Sequence, residues 1–237
     1  QNTTGVKAER ILMEQISMNN LSKVIVALDV EDLKKAEEII KLLKDKIEIF
    51  KIGSKLFTGY GVEAIETVHK YGKKVFLDLK YHDIPSVIAD AVRMAQRHNV
   101  YSVSLHSLGG YEMLRMAAAI KPRPQLWAVT VLTSFDEKNL KQIGIEESVN
   151  GQVVKLARMA KKAGVDGVVC SPNEIELVKK FGLNVITPGI RLFQANEDQK
   201  RVLTPQEAFS KGVNYIVMGR EITAAKNPLE VIEKIEG

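Results

Sequence analysis

Three charged side chains follow an apolar run in the segment FLDLKYHDIP (76–85): Asp78, Lys80 and Asp83. Residues two apart on a strand point to the same face, so Asp78 and Lys80 are predicted to lie side by side. A buried ion pair that caps a core layer is the structural alternative, but desolvation offsets most of the attraction in such a pair. The pattern favours a reaction centre, because a carboxylate keeps an ammonium charged and the ammonium can donate a proton to a developing anion.

A second group of residues has the chemistry of a phosphate site. The segments TPGIR (187–191) and MGR (218–220) each bring a glycine and an arginine together. Glycine lets a ligand approach the backbone, and arginine binds phosphate through two parallel hydrogen bonds. An arginine paired with a carboxylate on the rim of the fold is the alternative. The segment REITAAKNP, which begins at Arg220, is predicted to start a short helix beside the phosphate.

Eight short apolar runs rich in β-branched residues must position these groups. Most are nearly continuously apolar, as expected for parallel strands that are buried on both faces. The predicted strands are 23–29, 47–53, 73–80, 100–107, 125–134, 166–172, 184–190 and 214–220.

Amphipathic helices are predicted between several of these strands. They are 32–45 with Asp32 as its cap, 61–72, 85–99, 150–164, and 204–212 with a Thr204–Glu207 capping box. The alternation predicts a single-domain (β/α)8 barrel. A doubly wound open sheet is the alternative, but no glycine-rich phosphate fingerprint follows the first strand.

Composition limits the class of protein. The chain has 237 residues, of which 45% are hydrophobic, a net charge of +5 and one cysteine. The single cysteine excludes an intramolecular disulfide and predicts a reducing, cytoplasmic location. No apolar run reaches the roughly 18 to 20 residues of a membrane span. Lys and Glu alternate along the predicted helices, which is typical of solvated faces and not of a nucleic-acid-binding stripe.

The N-terminal segment is predicted to lie outside the fold. Residues 1–17 are interpreted as an extension and residues 18–237 as the barrel. A genuine N-terminal helix is the alternative, because Ile11, Leu12 and Ile16 could form an apolar edge.

In a (β/α)8 barrel the active site lies at the carboxyl ends of the strands. The residues predicted to meet there include Asp29, Lys51, the Asp78–Lys80–Asp83 group, His106, Thr133, Ser171, Arg191 and Arg220. His106 is interpreted as structural and Cys170 as a small buried apolar residue. No spacing of His, Cys and Glu suggests a structural metal.

The motif DLKYHDIP resembles the Asp-x-Lys-x-x-Asp-Ile-Pro signature of the orotidine 5′-phosphate decarboxylase family. The flanking blocks VALD, FKIG, AVTVLTS, VVCSP, TPGIR and IVMGR agree in order and spacing from about Leu21 to the C-terminus. The resemblance implies a (β/α)8 barrel that converts orotidine 5′-monophosphate to uridine 5′-monophosphate without cofactor or metal.

The resemblance also implies roles for individual residues. Asp29 and Lys51 would hold the ribose hydroxyls, with Lys51 also in the catalytic set. Asp78 would lie beside the substrate carboxylate, and Lys80 would protonate carbon 6 of the pyrimidine. Asp83 and Ile84 would reach into the partner's site in a homodimer.

The remaining roles concern the base and the phosphate. Thr133, with Ser134 as an open alternative, would contact the pyrimidine, and Pro188 would line the substrate site. The phosphate ligands would be Arg191, Gln199, Gly219 and Arg220, with Gln194 as the alternative to Gln199.

Two other functions stay open from the sequence. Magnesium-dependent sugar-phosphate decarboxylases and aldolases, such as 3-keto-L-gulonate 6-phosphate decarboxylase, share the Asp-x-Lys-x-x-Asp signature. They place an acidic metal ligand where this chain has Lys51. A catalytically idle barrel that binds nucleotides or nucleic acid is the second alternative, motivated by the isoelectric point of about 9.1.

Overall fold

Eight parallel strands close into a barrel. The computed structural model describes residues 20–192 and 203–236. Each strand pairs with its neighbours in sequence, and β1 pairs with β8 to close the sheet. The strands are β1 (Val24–Ala27), β2 (Ile49–Gly53), β3 (Lys74–Tyr81), β4 (Ser102–His106), β5 (Gln125–Val129), β6 (Gly167–Val169), β7 (Asn184–Pro188) and β8 (Tyr215–Met218). The prediction of a (β/α)8 barrel is confirmed.

Helices cover the outside of the barrel. They are α1 (Leu33–Leu43), α2 (Ser54–Tyr60), α3 (Val62–His69), α4 (Pro85–Arg97), α5 (Gly110–Ala119), α6 (Glu137–Gln142), α7 (Val149–Ala163), α8 (Ile175–Lys179), α9 (Pro205–Ser210), α10 (Arg220–Thr223) and α11 (Pro228–Glu236). Two 3₁₀ turns, Ser107–Gly109 and Pro172–Glu174, follow β4 and β6. None of the helices within the described ranges has the length and apolar character needed to cross a membrane.

The local signals for helix ends are confirmed. Asp32 caps α1 by accepting a hydrogen bond from the Lys35 backbone N–H at 2.7 Å. Thr204 and Glu207 form a capping box at the start of α9. These contacts satisfy backbone N–H groups that have no partner within the helix.

Several predicted boundaries are wrong. The predicted fifth strand, 125–134, ends at Val129, and a turn follows in which the Phe135 backbone N–H donates to the Leu132 carbonyl. The helix predicted at 61–72 is α3, which is shorter, and Gly61 with φ of +56° separates it from the preceding helix α2. Helices α2, α5, α6, α8 and α11 were not predicted. Residues 1–17 lie outside the described residues, so their interpretation as an extension stays a prediction.

Two packed layers of apolar side chains support the strand ends. Side chains that point outward meet the helices in the larger core, which includes Phe50, Leu77 and Leu105. Side chains that point inward fill the barrel, where Phe76 packs on Trp127 with ring centroids 4.6 Å apart. The inward-facing positions then change from apolar to charged toward the carboxyl ends of the strands.

Candidate active site

Four charged residues form one chain of contacts at the carboxyl ends of β1, β2 and β3. The Lys51 ammonium lies 2.9 Å from Asp29 Oδ1 and 3.6 Å from Asp78 Oδ2. The Lys80 ammonium lies 3.0 Å from both carboxylate oxygens of Asp78. Opposite charges therefore alternate along Asp29, Lys51, Asp78 and Lys80, and the predicted convergence of these residues is confirmed.

The environment of Asp78 keeps its carboxylate ionised. Burial by itself raises the pKa of Asp78, but the charges of Lys51 and Lys80 and the hydrogen bonds from Ser104 and Lys80 outweigh it. The net result is a pKa below the ordinary value of 3.8. The site therefore presents a fixed negative charge between two ammonium groups at neutral pH.

Lys80 reaches Asp78 through an irregular backbone and not through regular strand alternation. Leu77 pairs with Val103 and Tyr81 with Leu105, so three residues of β3 lie opposite one residue of β4. Within this bulge Lys80 has φ of +49°, a left-handed conformation that is uncommon for residues other than glycine. The predicted proximity is correct, but the strand bends to produce it.

Asp83 and Ile84 lie apart from this network within the protomer. Both are exposed on the segment between β3 and α4, where Asp83 Oδ1 accepts a hydrogen bond from the Ile84 backbone N–H at 2.7 Å. No ion pair joins Asp83 to Lys51 or Lys80 in the part of the chain that the structure describes. Their predicted role across an interface stays a prediction.

A cleft of about 440 Å³ opens over the ends of β5, β6 and β7. Thr133, Pro188 and Arg191 line it together, as does Ser171. The network on β1 to β3 and this cleft share the carboxyl face of the barrel, so the structure brings the predicted substrate-binding residues to one mouth.

The ends of β7 and β8 carry the predicted phosphate-binding residues. Gly189 has φ of +77°, and Arg191 and Arg220 are both exposed at this edge. Gly219 precedes the short helix α10, which confirms the helix predicted there. The Leu192 backbone N–H donates to Glu221 Oε2 at 2.7 Å and so ties the two strand ends together. Gln199 and its alternative Gln194 lie outside the described residues.

Sequence reasoning missed two residues that contact the charged network. Ser104 on β4 is fully buried, and its hydroxyl donates to Asp78 Oδ1 at 2.7 Å. Gly53 pairs with Asp78, and a Cβ at Gly53 would lie 2.7 Å from Asp29 Oδ1. The serines in SVSLH, two apart in an otherwise largely apolar strand, were a signal that could have found Ser104.

The histidine and the cysteine are consistent with their structural interpretation. His106 stacks on His82 with ring centroids 5.6 Å apart, and its Nδ1 accepts from the Leu108 backbone N–H. Burial, and then the charges of His82 and Lys80, lower the pKa of His106, which leaves it neutral at pH 7. Burial raises the pKa of the Cys170 thiol far above its ordinary range, so it is not a thiolate nucleophile.

No group of three or more His, Cys, Asp or Glu side chains comes together as a metal site within residues 20–192 and 203–236. At the network itself, the Lys51 ammonium contacts both Asp29 and Asp78. A cation bound between these two carboxylates would have to displace that ammonium or lie against it.

Comparisons with known proteins agree with this geometry. The family model described as "Orotidine 5'-phosphate decarboxylase / HUMPS family" matches residues 22–235. A relative from Geobacter sp. (strain M21), named orotidine 5′-phosphate decarboxylase, is 45% identical over 227 residues, which cover 91% of this chain and 95% of the relative.

Solved structures with the same fold carry related names. A crystal structure of orotidine 5′-phosphate decarboxylase from Lactobacillus acidophilus has a TM-score of 0.78 at 33% identity and covers 91% of this chain and 97% of its own. Orotidine 5′-monophosphate decarboxylase from Methanocaldococcus jannaschii, complexed with the inhibitor BMP, has a TM-score of 0.73 at 25% identity, with 91% and 97% coverage. With an eight-stranded barrel, a charged network at its mouth and these relatives, the chain belongs to the orotidine 5′-phosphate decarboxylase / HUMPS family.

Proposed function

We propose that this protein decarboxylates orotidine 5′-monophosphate to uridine 5′-monophosphate and carbon dioxide, a step of pyrimidine biosynthesis. The observation that carries the proposal is the Asp78–Lys80 contact, with the Lys80 ammonium 3.0 Å from both Asp78 oxygens. The relatives named above support the same reaction.

The chemistry requires a proton donor where carbon dioxide leaves. When the bond between carbon 6 and the carboxylate breaks, its electron pair stays on carbon 6. The Lys80 ammonium donates a proton to that carbon, and solvent then returns a proton to the amine. Its fixed positive charge stabilises the negative charge that develops at carbon 6 before the proton moves.

Asp78 contributes in two ways. Its ionised carboxylate holds the Lys80 ammonium at 3.0 Å through the attraction of opposite charges. Placed beside the substrate carboxylate, it also repels that group, and the repulsion falls as carbon dioxide forms. Lys51 and Asp29 hold the ribose hydroxyls, because their paired charges present both hydrogen-bond donors and acceptors.

The other predicted residues bind the base and the phosphate. Thr133 and Pro188 lie along the cleft where the pyrimidine fits. Arg191, Arg220 and the backbone at Gly219 bind the phosphate at the ends of β7 and β8. Gln199 completes this set as a prediction from the resemblance.

The substitution Lys80→Ala tests the proposal directly. We expect turnover to be nearly abolished while nucleotide binding stays measurable by calorimetry. Lys44→Ala is the matched control, because Lys44 follows α1 and pairs with its neighbour Asp45, away from the strand ends. The assay follows the fall in orotidine 5′-monophosphate absorbance. A wild-type rate for Lys80→Ala would contradict the assigned role.

The assay also separates the two rival functions. Full activity in EDTA is expected here, whereas a magnesium-dependent sugar-phosphate enzyme would lose activity. A barrel that only binds nucleic acid would show salt-dependent binding and no turnover.

We propose a homodimer whose sites are completed across the interface, and the surface around Asp83 supports this proposal. Ile84, Val87 and Met94 are large apolar side chains exposed by 62%, 44% and 47%, and they lie along one face at the start of and on α4. Such a stripe is typical of a protein interface. Its continuity with Asp83 supports the partner's Asp83 and Ile84 entering each site.

Mixing two inactive variants tests that assembly. If each site takes Lys80 from one protomer and Asp83 from the other, a heterodimer of Lys80→Ala and Asp83→Ala protomers has one site with both defects. Its other site has both wild-type residues. Random pairing should therefore restore about a quarter of wild-type activity per protomer. If both residues act within one protomer, the mixture will stay inactive.

The location we propose is the cytoplasm. The chain's one cysteine, Cys170, is buried and unpaired, which suits a reducing compartment.

A further inference from the structure

One buried hydroxyl contacts both residues of the proposed reaction centre. Ser104 Oγ donates to Asp78 Oδ1 at 2.7 Å and accepts a hydrogen bond from the Lys80 backbone N–H at 2.8 Å. A serine hydroxyl has a single proton to donate, and here the carboxylate receives it. Ser104 has no exposed surface, so it has no competing contact with bulk water.

The hydrogen bond to Ser104 supports an irregular part of the β3 backbone. Ser104 is the one residue of β4 that lies opposite the three-residue bulge of β3, between the Val103 and Leu105 pairings. Lys80 lies in that bulge with φ of +49°. A left-handed conformation costs a residue with a Cβ about 1 kcal/mol or more and persists only where its surroundings hold it.

We propose that Ser104 is a positioning residue, which sets the Asp78 carboxylate and the Lys80 backbone relative to each other so that the Lys80 ammonium points at the reacting carbon. The proposal rests on the proposed decarboxylation. Ser104 does not touch the substrate in this role. It acts by fixing the two groups that do, since a misplacement of about 1 Å in a reaction centre can cost about 100-fold in rate.

The hydroxyl also favours the ionised form of Asp78. Its hydrogen bond is one of the contributions that lower the pKa of the Asp78 carboxyl, after those of the Lys51 and Lys80 charges. Removing the hydroxyl should therefore raise the pH at which activity is lost on acidification. A serine that served only to pack the barrel would not move this limb of the pH profile.

The chain offers a close control in Ser102. It lies two residues earlier on β4, faces the same barrel interior and is also fully buried. Its hydroxyl has no hydrogen-bond partner among the residues that the structure describes. Ser102→Ala thus removes the same atom from the same strand without removing a contact to Asp78 or Lys80.

The test measures kcat, KM and the pH profile of Ser104→Ala and Ser102→Ala with orotidine 5′-monophosphate. For Ser104→Ala we expect kcat to fall about 10- to 100-fold, the effect of losing a hydrogen bond to a charged group, with KM much less affected. Its acid limb should move to higher pH. For Ser102→Ala we expect both parameters and the profile to stay close to wild type.

A second pair of variants separates the hydroxyl from the shape of the side chain. Threonine and valine have nearly the same shape, but only threonine keeps the hydroxyl. Ser104→Thr should therefore retain more kcat than Ser104→Val. This pair also decides the matter if Ser104→Ala does not fold, which thermal unfolding of each variant will show.

The outcomes distinguish this inference from the proposed function. Wild-type kcat in Ser104→Ala, or equal kcat in the threonine and valine variants, would overturn the role of Ser104 while leaving decarboxylation intact. A wild-type protein without turnover would overturn the proposed function itself.

Discussion

The substitution Gly53→Ala should disable the site without unfolding the barrel. Gly53 is the residue of β2 that pairs with Asp78, and its missing side chain leaves the space in which Asp29 and Lys51 meet. An added Cβ would lie 2.7 Å from Asp29 Oδ1 and 2.9 Å from Lys51 Nζ. Ordinary contact begins near 3.4 Å, so these atoms must move by at least 0.7 Å and 0.5 Å.

That movement should lower activity much more than it lowers the stability of the fold. Both atoms are at the free ends of flexible side chains, so they can move with little loss of stability, and no positive φ restricts Gly53. The hydrogen bond of 2.9 Å between Lys51 and Asp29 is nevertheless displaced. From the sensitivity of reaction centres to such displacements we expect kcat/KM to fall about 10- to 100-fold, with a change of less than about 1 kcal/mol in unfolding free energy.

Gly59→Ala is the matched control. Gly59 lies within α2, and a Cβ there would meet no atom within 4 Å. Alanine favours helix over glycine by about 1 kcal/mol, so this variant should be as stable as wild type or more so, with unchanged kinetics. Steady-state decarboxylation and urea unfolding of both variants check the prediction. Wild-type kcat/KM in Gly53→Ala would refute the reasoning.

Three further perturbations have expected outcomes. Arg220→Ala should raise KM for orotidine 5′-monophosphate while changing turnover of the nucleoside lacking phosphate much less; equal losses on both substrates would contradict a phosphate contact. Because the folded pKa of Asp78 lies below 3.8, its ionisation should stabilise the protein above about pH 3.8 and this contribution should be lost as the pH falls through the folded value. The difference in unfolding free energy between wild type and Asp78→Asn should therefore shrink below pH 4. A difference that stays constant with pH would contradict this contribution of Asp78. Arg123→Ala should lower the free energy of unfolding in urea by about 3 to 5 kcal/mol, because it removes the buried partner of the Asp166 carboxylate. Arg93→Ala, which removes the exposed pair with Asp90, should lower it by under about 1 kcal/mol.

The strand ends were predictable because hydrophobic patterning and barrel geometry act together. A run such as KVIVALD is buried along its length and ends in a carboxylate, so Asp29 had to lie at a strand end. Parallel closure then brings all such ends to one face, which is why Asp29, Lys51, Asp78 and Lys80 could be grouped from the sequence alone.

The details of the site were not predictable in the same way. Period-two alternation assumes a regular ladder, and the bulge opposite Ser104 breaks it within β3. A bulge depends on how two strands that are distant in sequence pair with each other, so the local sequence of either strand does not determine it. For the same reason the importance of Gly53 appears only when the side chains of Asp29 and Lys51 are placed around it.

Register connects the core of this barrel to its chemistry. On β2 the inward positions are Ile49, Lys51 and Gly53, and on β3 they are Phe76 and Asp78, so each strand passes from apolar core to charged site in two residues. A shift of one residue in either strand would turn the ammonium or the carboxylate outward, toward the helices, and would put an outward-facing residue in its place. The apolar layer of Phe76 and Trp127 beneath the network therefore does more than stabilise the fold. Because burying a charge in the outer core is so costly, the packing that selects the register also selects which side chains reach the mouth.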